Sequence, residues 1–365
     1  MIKHKAFISP LQLFILYINI SIGAGILTLP RSVAAVAGID MWLSAILGGL
    51  LMFFALWVAT RLSAYFPGQT SLEYHCLLLG NGLGVIAGVF QLLLLFGLAS
   101  LAIRTFSFAM KIFLYDLTPQ SVFIGGILIV AVYATQYNWT PLLRLQEVMF
   151  PFLFPMLIVI LLLGTLDVSV EAFLPVLADG VAPAAKGALP SWFAYSAPEL
   201  IIGLVYPFLA NQRAAAKTGV ASIAFITCLY TLTVIIVQGS LTAAGTEHAV
   251  FPTITAFRNV EIPDTFVERL DGYLMILWIF IYFNSLSNLL FMTAFGASRL
   301  LRLEYSRSLI AILAPLIYYV SQLAPSLKAH MDISELFSKI APFWSLVIMP
   351  LLLMLAWYKN RRKTA

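Results

Sequence analysis

Charged residues are scarce in this sequence: they make up 10% of the 365 residues, whereas hydrophobic residues make up 61% and the mean hydropathy is +0.97. Soluble domains are near half apolar and about a quarter charged, so the composition excludes an ordinary soluble enzyme. Alternating segments of about ten residues, which are typical of a membrane β-barrel, are missing as well. The composition therefore predicts an all-α polytopic membrane protein.

Cysteine and histidine are also rare. The two cysteines, Cys76 and Cys228, fall in a loop and in an apolar run, so we expect no disulfide framework. The four histidines lack the spacing of metal ligands, so we expect no metal and no cofactor. No pairing of a nucleophile with a base is visible, and the basic residues form no stripe for nucleic acid. We expect neither an enzyme nor a nucleic-acid-binding protein.

Long apolar runs fill most of the chain and predict about ten transmembrane helices in one membrane domain, 1–365. The runs cover residues 11–36, 41–62, 83–112, 120–138, 142–164, 191–210, 218–243, 268–299, 306–323 and 340–358. Lys and Arg concentrate in the loops of one side and acidic residues in those of the other, which predicts that both termini are cytoplasmic. The long outer loops, 165–190 and 244–267, should be irregular, with a short helix between Pro252 and Pro263.

Two glycines and a proline interrupt the first apolar run. Gly23, Gly25 and Pro30 are poor residues for a continuous helix, so we predict a break near mid-membrane. Backbone groups freed there must line a cavity or bind a ligand, and the N-terminus of a half-helix suits a carboxylate. The alternative is a tight glycine face that packs against a neighbouring helix.

The sixth run contains a second interruption. Pro198 removes one helical hydrogen bond, and Glu199 places a carboxyl group deep in an apolar segment, at a cost of at least about 3 kcal/mol. Glu199 should therefore face a cavity, or else form a structural hydrogen bond with a neighbouring span. Broken helices one and six, five spans apart, are typical of two inverted five-helix repeats, here 11–164 and 191–358.

Other polar residues within or beside the spans have two interpretations each. Glu147 follows Arg144 by three residues, which favours a pair on one helix face, although a proton-responsive role is the alternative. Arg104 and Lys111 should extend toward the interface rather than bind a ligand. The polar residues of span eight either bridge helices or line a ligand or ion site; they are Asn284, Ser285, Ser287 and Asn288.

Five segments, spread over most of the chain, carry a resemblance to a known family. They are Ile8–Leu13 leading into Gly23–Arg31, Arg144–Glu147 with Phe150-Pro151, Leu174–Gly180, Phe251–Ile254, and Phe266–Asp271 ahead of Trp278. In this order they resemble the integral-membrane B subunit of spore germinant receptors, a branch of the amino acid/polyamine/organocation transporter superfamily. One departure is Ala197-Pro198, where the family often has a glycine just before the acid.

The resemblance implies a leucine-transporter-type fold of ten helices, with a mid-membrane pocket between helices one, three, six and eight. Carried over by position, the ligand-binding residues are Gly23, Ala24, Gly25, Leu94, Leu98, Ser196, Ala197, Glu199, Asn284 and Ser285. The backbone of 23–25 would hold a carboxylate, Glu199 would meet an ammonium group or stabilise the helix break, and 94–98 would set side-chain size.

The resemblance also implies a function: a subunit that binds a small nutrient germinant, with an amino acid as the expected class, and triggers spore germination. Its partners would be the receptor's A subunit and a C-subunit lipoprotein, in the inner membrane of the spore. The rival interpretation is a proton-coupled amino acid transporter that uses Glu147 or Glu199. A third is conduction of ions or water, because receptor and carrier share one scaffold.

Overall fold

The computed structural model describes residues 7–260, 270–303 and 307–364, and these are nearly all helical. A π-helical turn, Phe343–Ile348, joins the last two helices. The α-helices are α1 (Pro10–Ala37), α2 (Met41–Ala64), α3 (Ser71–Phe113), α4 (Gln120–Thr135), α5 (Trp139–Gly164), α6 (Val181–Tyr195), α7 (Pro198–Val205), α8 (Ala215–His248), α9 (Pro252–Asn259), α10 (Leu270–Leu300), α11 (Arg307–Gln322), α12 (Leu327–Pro342) and α13 (Met349–Thr364).

Local sequence determines where α1 begins. The Ser9 hydroxyl accepts a hydrogen bond from the Gln12 N–H, and the Gln12 side chain accepts one from the Ser9 N–H, both at 3.1 Å. This capping box satisfies two backbone donors that a helix start otherwise leaves free, and Pro10 suits the first helical position. Thr70 and Glu73 form the same arrangement at the start of α3.

Helical segments lie at all ten predicted span positions. Six helical stretches of the described residues are long and apolar enough to cross a membrane, or seven if the bent pair α6–α7 is one span. The first stretch, Pro10–Ala64, contains both α1 and α2, and α4 and α11 are only 16 residues long. The count of ten spans therefore remains a prediction.

Three predicted boundaries are wrong. The helix predicted from 83 begins at Ser71, because a kink at Gly80, with φ of +81°, joins a short helix to the long one. The helix predicted from 191 begins at Val181: Pro183 lies in the first turn, where a proline breaks no hydrogen bond, and the helix continues through Pro190. The last span is preceded by α12, so the chain from 327 is helical rather than a loop.

The predicted loop 244–267 is described only as far as Val260. Within it, α8 extends to His248 and α9 forms a short helix that begins at Pro252, as predicted. The family-like segment 266–271 lies outside the described residues except for its last two, and so do residues 1–6. The helix in the described part of this loop, α9, packs against α1, α8 and α10.

The predicted break in α1 is wrong: the helix continues from Pro10 to Ala37 with Pro30 inside it. A proline lacks the N–H that would bond the carbonyl four residues earlier, which here is that of Ile26. Thr253 of α9 donates its hydroxyl to this carbonyl at 2.7 Å. Because a distant residue replaces the missing donor, the helix passes through the proline without separating into two halves.

The centre of the bundle is built around α1, which packs against α6, α8 and α10. The chain just before α1 is fixed to the end of the sixth span, since the Ile8 N–H donates to the Phe208 carbonyl at 2.8 Å. Arg299 at the end of α10 lies 3.8 Å from Glu73 at the start of α3. These contacts place the predicted cytoplasmic segments on one side of the bundle.

Candidate functional site

The sixth span is interrupted at Ser196 and Ala197, between α6 and α7, where the sequence predicts an interruption. The two helices are bent by 43° relative to each other. Ala197 has φ of +112° and ψ of −32°, a conformation that residues with a Cβ adopt at a cost of about 1–3 kcal/mol. Pro198 then occupies the first position of α7, where its fixed φ suits a helix start.

Glu199 holds this strained segment in place. Its side chain is 1% exposed; one carboxyl oxygen accepts from the Ala197 N–H at 3.2 Å and the other from the Ser345 hydroxyl at 3.0 Å. Ser345 belongs to the π-helical turn, so Glu199 links the interruption to the last span. The alternative interpretation of Glu199 was a structural hydrogen bond to a neighbouring span, and that bond is present.

The middle of α1 faces four side-chain donors from other helices. Tyr230 of α8 donates to the Ser21 carbonyl at 2.7 Å, and its oxygen also lies 3.1 Å from the Ala194 carbonyl of α6. Trp278 of α10 donates to the Gly23 carbonyl at 2.6 Å. Ser285 donates to the Ile20 carbonyl and Thr253 to that of Ile26. Donors thus gather at the carbonyl groups of 20–26 although the helix is continuous.

The glycines of α1 permit this close approach. A Cβ on Gly25 would overlap the Tyr230 hydroxyl and lie 2.5 Å from the Ala194 carbonyl oxygen. A Cβ on Gly23 would overlap the Ser285 hydroxyl. These glycines therefore form the tight packing face that was the alternative interpretation. Without an exposed half-helix N-terminus, the argument for a carboxylate at 23–25 loses its physical basis.

The structure brings several predicted site residues together and leaves others apart. Gly23 meets Ser285, and Ser21 donates to the Tyr195 carbonyl beside Ser196. Leu94 is buried and Leu98 half-buried on α3, and Ala24 is half-buried on α1. Asn284 is buried with its Oδ1 atom unpaired among the described residues.

Glu147 lies well away from this region. It has no ion pair with Arg144 among the described residues; instead its Oε2 accepts from the Gln12 side chain at 3.1 Å. Gln12 precedes Gly23 by three helical turns, which is about 16 Å along α1. Glu147 is therefore separate from the α6–α7 interruption and close to the start of α1.

A buried network of three amides was not predicted as a unit. Gln146 of α5 accepts from Asn19 of α1 at 3.3 Å and exchanges hydrogen bonds of 2.7 and 3.2 Å with Asn288 of α10. All three side chains are buried. Asn288 was identified as a helix-bridging candidate, and this role is observed. Nothing in sequence spacing links three amides on three helices.

Replacing Gln146 with leucine should destabilise the protein. The change leaves amide groups of Asn19 and Asn288 buried without partners, at a cost of about 1–3 kcal/mol. We expect the melting temperature in detergent to fall by several degrees. The control is Gln322→Leu at the exposed end of α11. Equal melting temperatures for the two variants would contradict a stabilising role for the network.

A groove between two helices lies apart from these residues. It has a volume of about 500 Å³, lies between α2 and α13, and is lined by Trp57, Arg61, Ala64, Tyr65, Leu353, Met354 and Trp357. None of the predicted ligand-binding residues lines it. The groove is open and mostly apolar, and most of its lining residues are exposed.

Comparison with known proteins identifies the family. Residues 7–330 match the family model described as spore germination protein. The chain belongs to this family. It is 27% identical to spore germination protein YndE of Bacillus subtilis (strain 168) over 97% of both chains. It is 28% identical to spore germination protein A2 of the same organism, over 95% of this chain and 94% of the relative.

Solved structures show the fold of this spore germination protein. It superposes with a TM-score of 0.68 on MhsT in complex with L-phenylalanine, covering 95% of this chain and 98% of that one at 12% identity. A Na⁺-coupled sialic acid symporter superposes with a TM-score of 0.66, covering 95% of this chain and 78% of that one, also at 12% identity. The predicted leucine-transporter-type fold is confirmed, and the protein is a multi-pass membrane protein with a transporter fold rather than that of an enzyme class.

Proposed function

We propose that this protein is the membrane subunit of a germinant receptor, which binds a small nutrient, an amino acid, in the middle of the membrane and triggers germination. The observation that carries the proposal is the strained α6–α7 interruption, whose backbone Glu199 holds and which Ser21 and Tyr230 join to α1. Membrane-embedded non-helical backbone is tolerated where it lines a binding cavity. The pocket residues are Gly23, Ala24, Gly25, Leu94, Leu98, Ser196, Ala197, Glu199, Asn284 and Ser285.

Signalling requires that the ligand bind two conformations with different affinities. The α6–α7 interruption is suited to such a change, because a few residues there can absorb a change of φ and ψ. Tyr230 joins α1 to α6, and Ser345 joins the last span to Glu199. A ligand that shifts α6 relative to α1 therefore alters both contacts, and the receptor's A subunit and C-subunit lipoprotein would respond at the inner spore membrane. In this arrangement both termini are cytoplasmic.

A proton-coupled amino acid transporter is the second candidate. Its support is Glu199, a buried carboxyl group without a cationic partner among the described residues, in a fold shared with transporters. Such a group in a membrane is a candidate proton carrier. Glu147, the other carboxyl considered for coupling, is only half-buried and contacts Gln12.

Purified protein in liposomes distinguishes the two candidates. We would measure equilibrium binding and uptake of a panel of labelled amino acids in one preparation, with and without an imposed proton gradient. The receptor predicts saturable binding without accumulation. Accumulation that follows the gradient and disappears with a protonophore would contradict it and establish transport. The matched control is the empty liposome under the same gradient.

A further inference from the structure

A buried cation on α3, Arg104, has no acidic partner in the part of the chain that the structure describes. Arg104 was expected to extend toward the interface, but it is 4% exposed. Its Nη2 atom donates to the Ala324 carbonyl at 2.6 Å, and its Nε atom has no hydrogen-bond partner among the described residues. Among the residues that the structure describes, no Asp or Glu lies within ion-pair distance of it. A buried guanidinium in a membrane protein requires a counter-charge, which points to an anionic ligand group.

A buried acceptor lies beside this cation. His330 of α12 is 5% exposed, and its Nε2 atom lies 2.9 Å from the Thr105 hydroxyl. That hydroxyl also lies 3.1 Å from the Leu101 carbonyl, and when it donates there, the Nε2 atom of His330 is the donor to Thr105. The Nδ1 atom of a neutral His330 is then an acceptor, and within residues 7–260, 270–303 and 307–364 it too has no partner.

The two unpaired groups share one neighbour. The Arg104 guanidinium lies 4.7 Å from the centre of the Phe108 ring, and the His330 ring lies 5.7 Å from it. Phe108 thus brings a free N–H donor with positive charge and a free acceptor to one small region. A carboxylate is complementary to the first group and an ammonium to the second.

This region is connected to the proposed pocket along α3 and through Trp278. Phe106, two residues after Arg104, lies 5.4 Å from the Trp278 ring between ring centres, and Trp278 donates to the Gly23 carbonyl. Thr105 follows Leu94 by three helical turns and so lies on the same face of α3. Arg104 therefore lies on the outer side of Leu98, beside the α11–α12 connection that it contacts at Ala324.

We infer that Arg104 and His330 form the subsite that recognises the charged groups of a zwitterionic α-amino acid, with the carboxylate at Arg104 and the ammonium at the His330 Nδ1 atom. This inference rests on the proposed function and replaces the carboxylate site first expected at 23–25. The carboxylate pairs with Arg104 of α3 while the ammonium group meets His330 of α12, so the ligand joins the two helices. Because α12 continues through the π-helical turn to Ser345, ligand binding reaches Glu199 through one continuous element.

Binding of matched analogues to the full chain tests the subsite. The probes are L-alanine, L-leucine and L-phenylalanine, each beside its carboxamide and its deaminated acid, measured by equilibrium binding in nanodiscs. The wild type should bind at least one amino acid about tenfold or more tighter than its carboxamide. Arg104→Gln should abolish this preference and leave carboxamide binding within about threefold. The control Arg61→Gln, at an exposed residue of α2, should keep the preference.

His330→Phe provides an independent variant. It removes the Nδ1 acceptor, so it should abolish the preference for the amino acid over its deaminated acid. The preference for the amino acid over its carboxamide should remain. If Arg104→Gln weakens both members of a pair equally, Arg104 only fixes Ala324, and the subsite is overturned while the proposed function stands. If the wild type binds no amino acid at all, both proposals are overturned.

Discussion

Gly25→Ala should weaken amino acid binding by about tenfold to a hundredfold. The new Cβ would overlap the Tyr230 hydroxyl and lie 2.5 Å from the Ala194 carbonyl oxygen, so α1 must move away from α8 and α6. Overpacking of this kind costs about 1–3 kcal/mol, and about 1.4 kcal/mol corresponds to a tenfold change in affinity. Equilibrium binding of labelled amino acid to purified protein in nanodiscs measures the effect.

Two further variants make the Gly25 result specific. Gly126→Ala is the matched control, because Gly126 lies on the exposed side of α4 and a Cβ there meets nothing within 4 Å. It should leave affinity unchanged. Adding Tyr230→Phe to Gly25→Ala removes the nearest overlapping atom and should restore part of the affinity. Wild-type affinity in Gly25→Ala would show that the contact of α1 with Tyr230 does not shape the pocket.

Glu199→Ala should lower the free energy of unfolding by roughly 2–4 kcal/mol. The change leaves the Ala197 N–H buried without a partner and removes the acceptor for the Ser345 hydroxyl. Glu199→Gln keeps one accepting oxygen, so its free energy of unfolding should lie between those of the wild type and Glu199→Ala. Thermal unfolding in detergent measures all three proteins. The control is Glu335→Ala on α12, where an exposed pair with Lys339 contributes little.

Ala197→Gly tests why Glu199 matters at this position. Ala197 has φ of +112°, which glycine adopts without strain, so this substitution should stabilise the interruption by about 1 kcal/mol. It should also reduce the loss of unfolding free energy caused by Glu199→Ala, because glycine at 197 adopts this backbone conformation without strain. If the two substitutions are strictly additive, Glu199 stabilises the protein by some means other than holding the backbone at Ala197.

Much of the fold was predictable because hydrophobicity determines it. Apolar runs predicted a membrane bundle, and a proline followed by a buried acid predicted the interruption at 195–199. The first helix was predicted wrongly because the effect of Pro30 depends on Thr253, more than two hundred residues away, which supplies the missing donor to Ile26. No local pattern reports such a compensation.

The candidate site was predictable only in part, for a similar reason. Tyr230 and Trp278 donate to backbone carbonyl groups of α1, and an aromatic residue in an apolar run gives no sign of this. Arg104 was expected to reach the interface, as arginine near a helix end usually does. The connection from α11 to α12 instead covers it, which becomes visible only when the helices are packed.

The central claim is that an amino acid binds between α1 and the α6–α7 interruption and changes their packing. Hydrogen exchange with mass spectrometry tests it directly, on protein in nanodiscs with and without a saturating amino acid chosen from the binding panel. The account predicts altered exchange in residues 20–28 and 194–202, with no change in α4. Saturable binding that leaves both segments unchanged would contradict it.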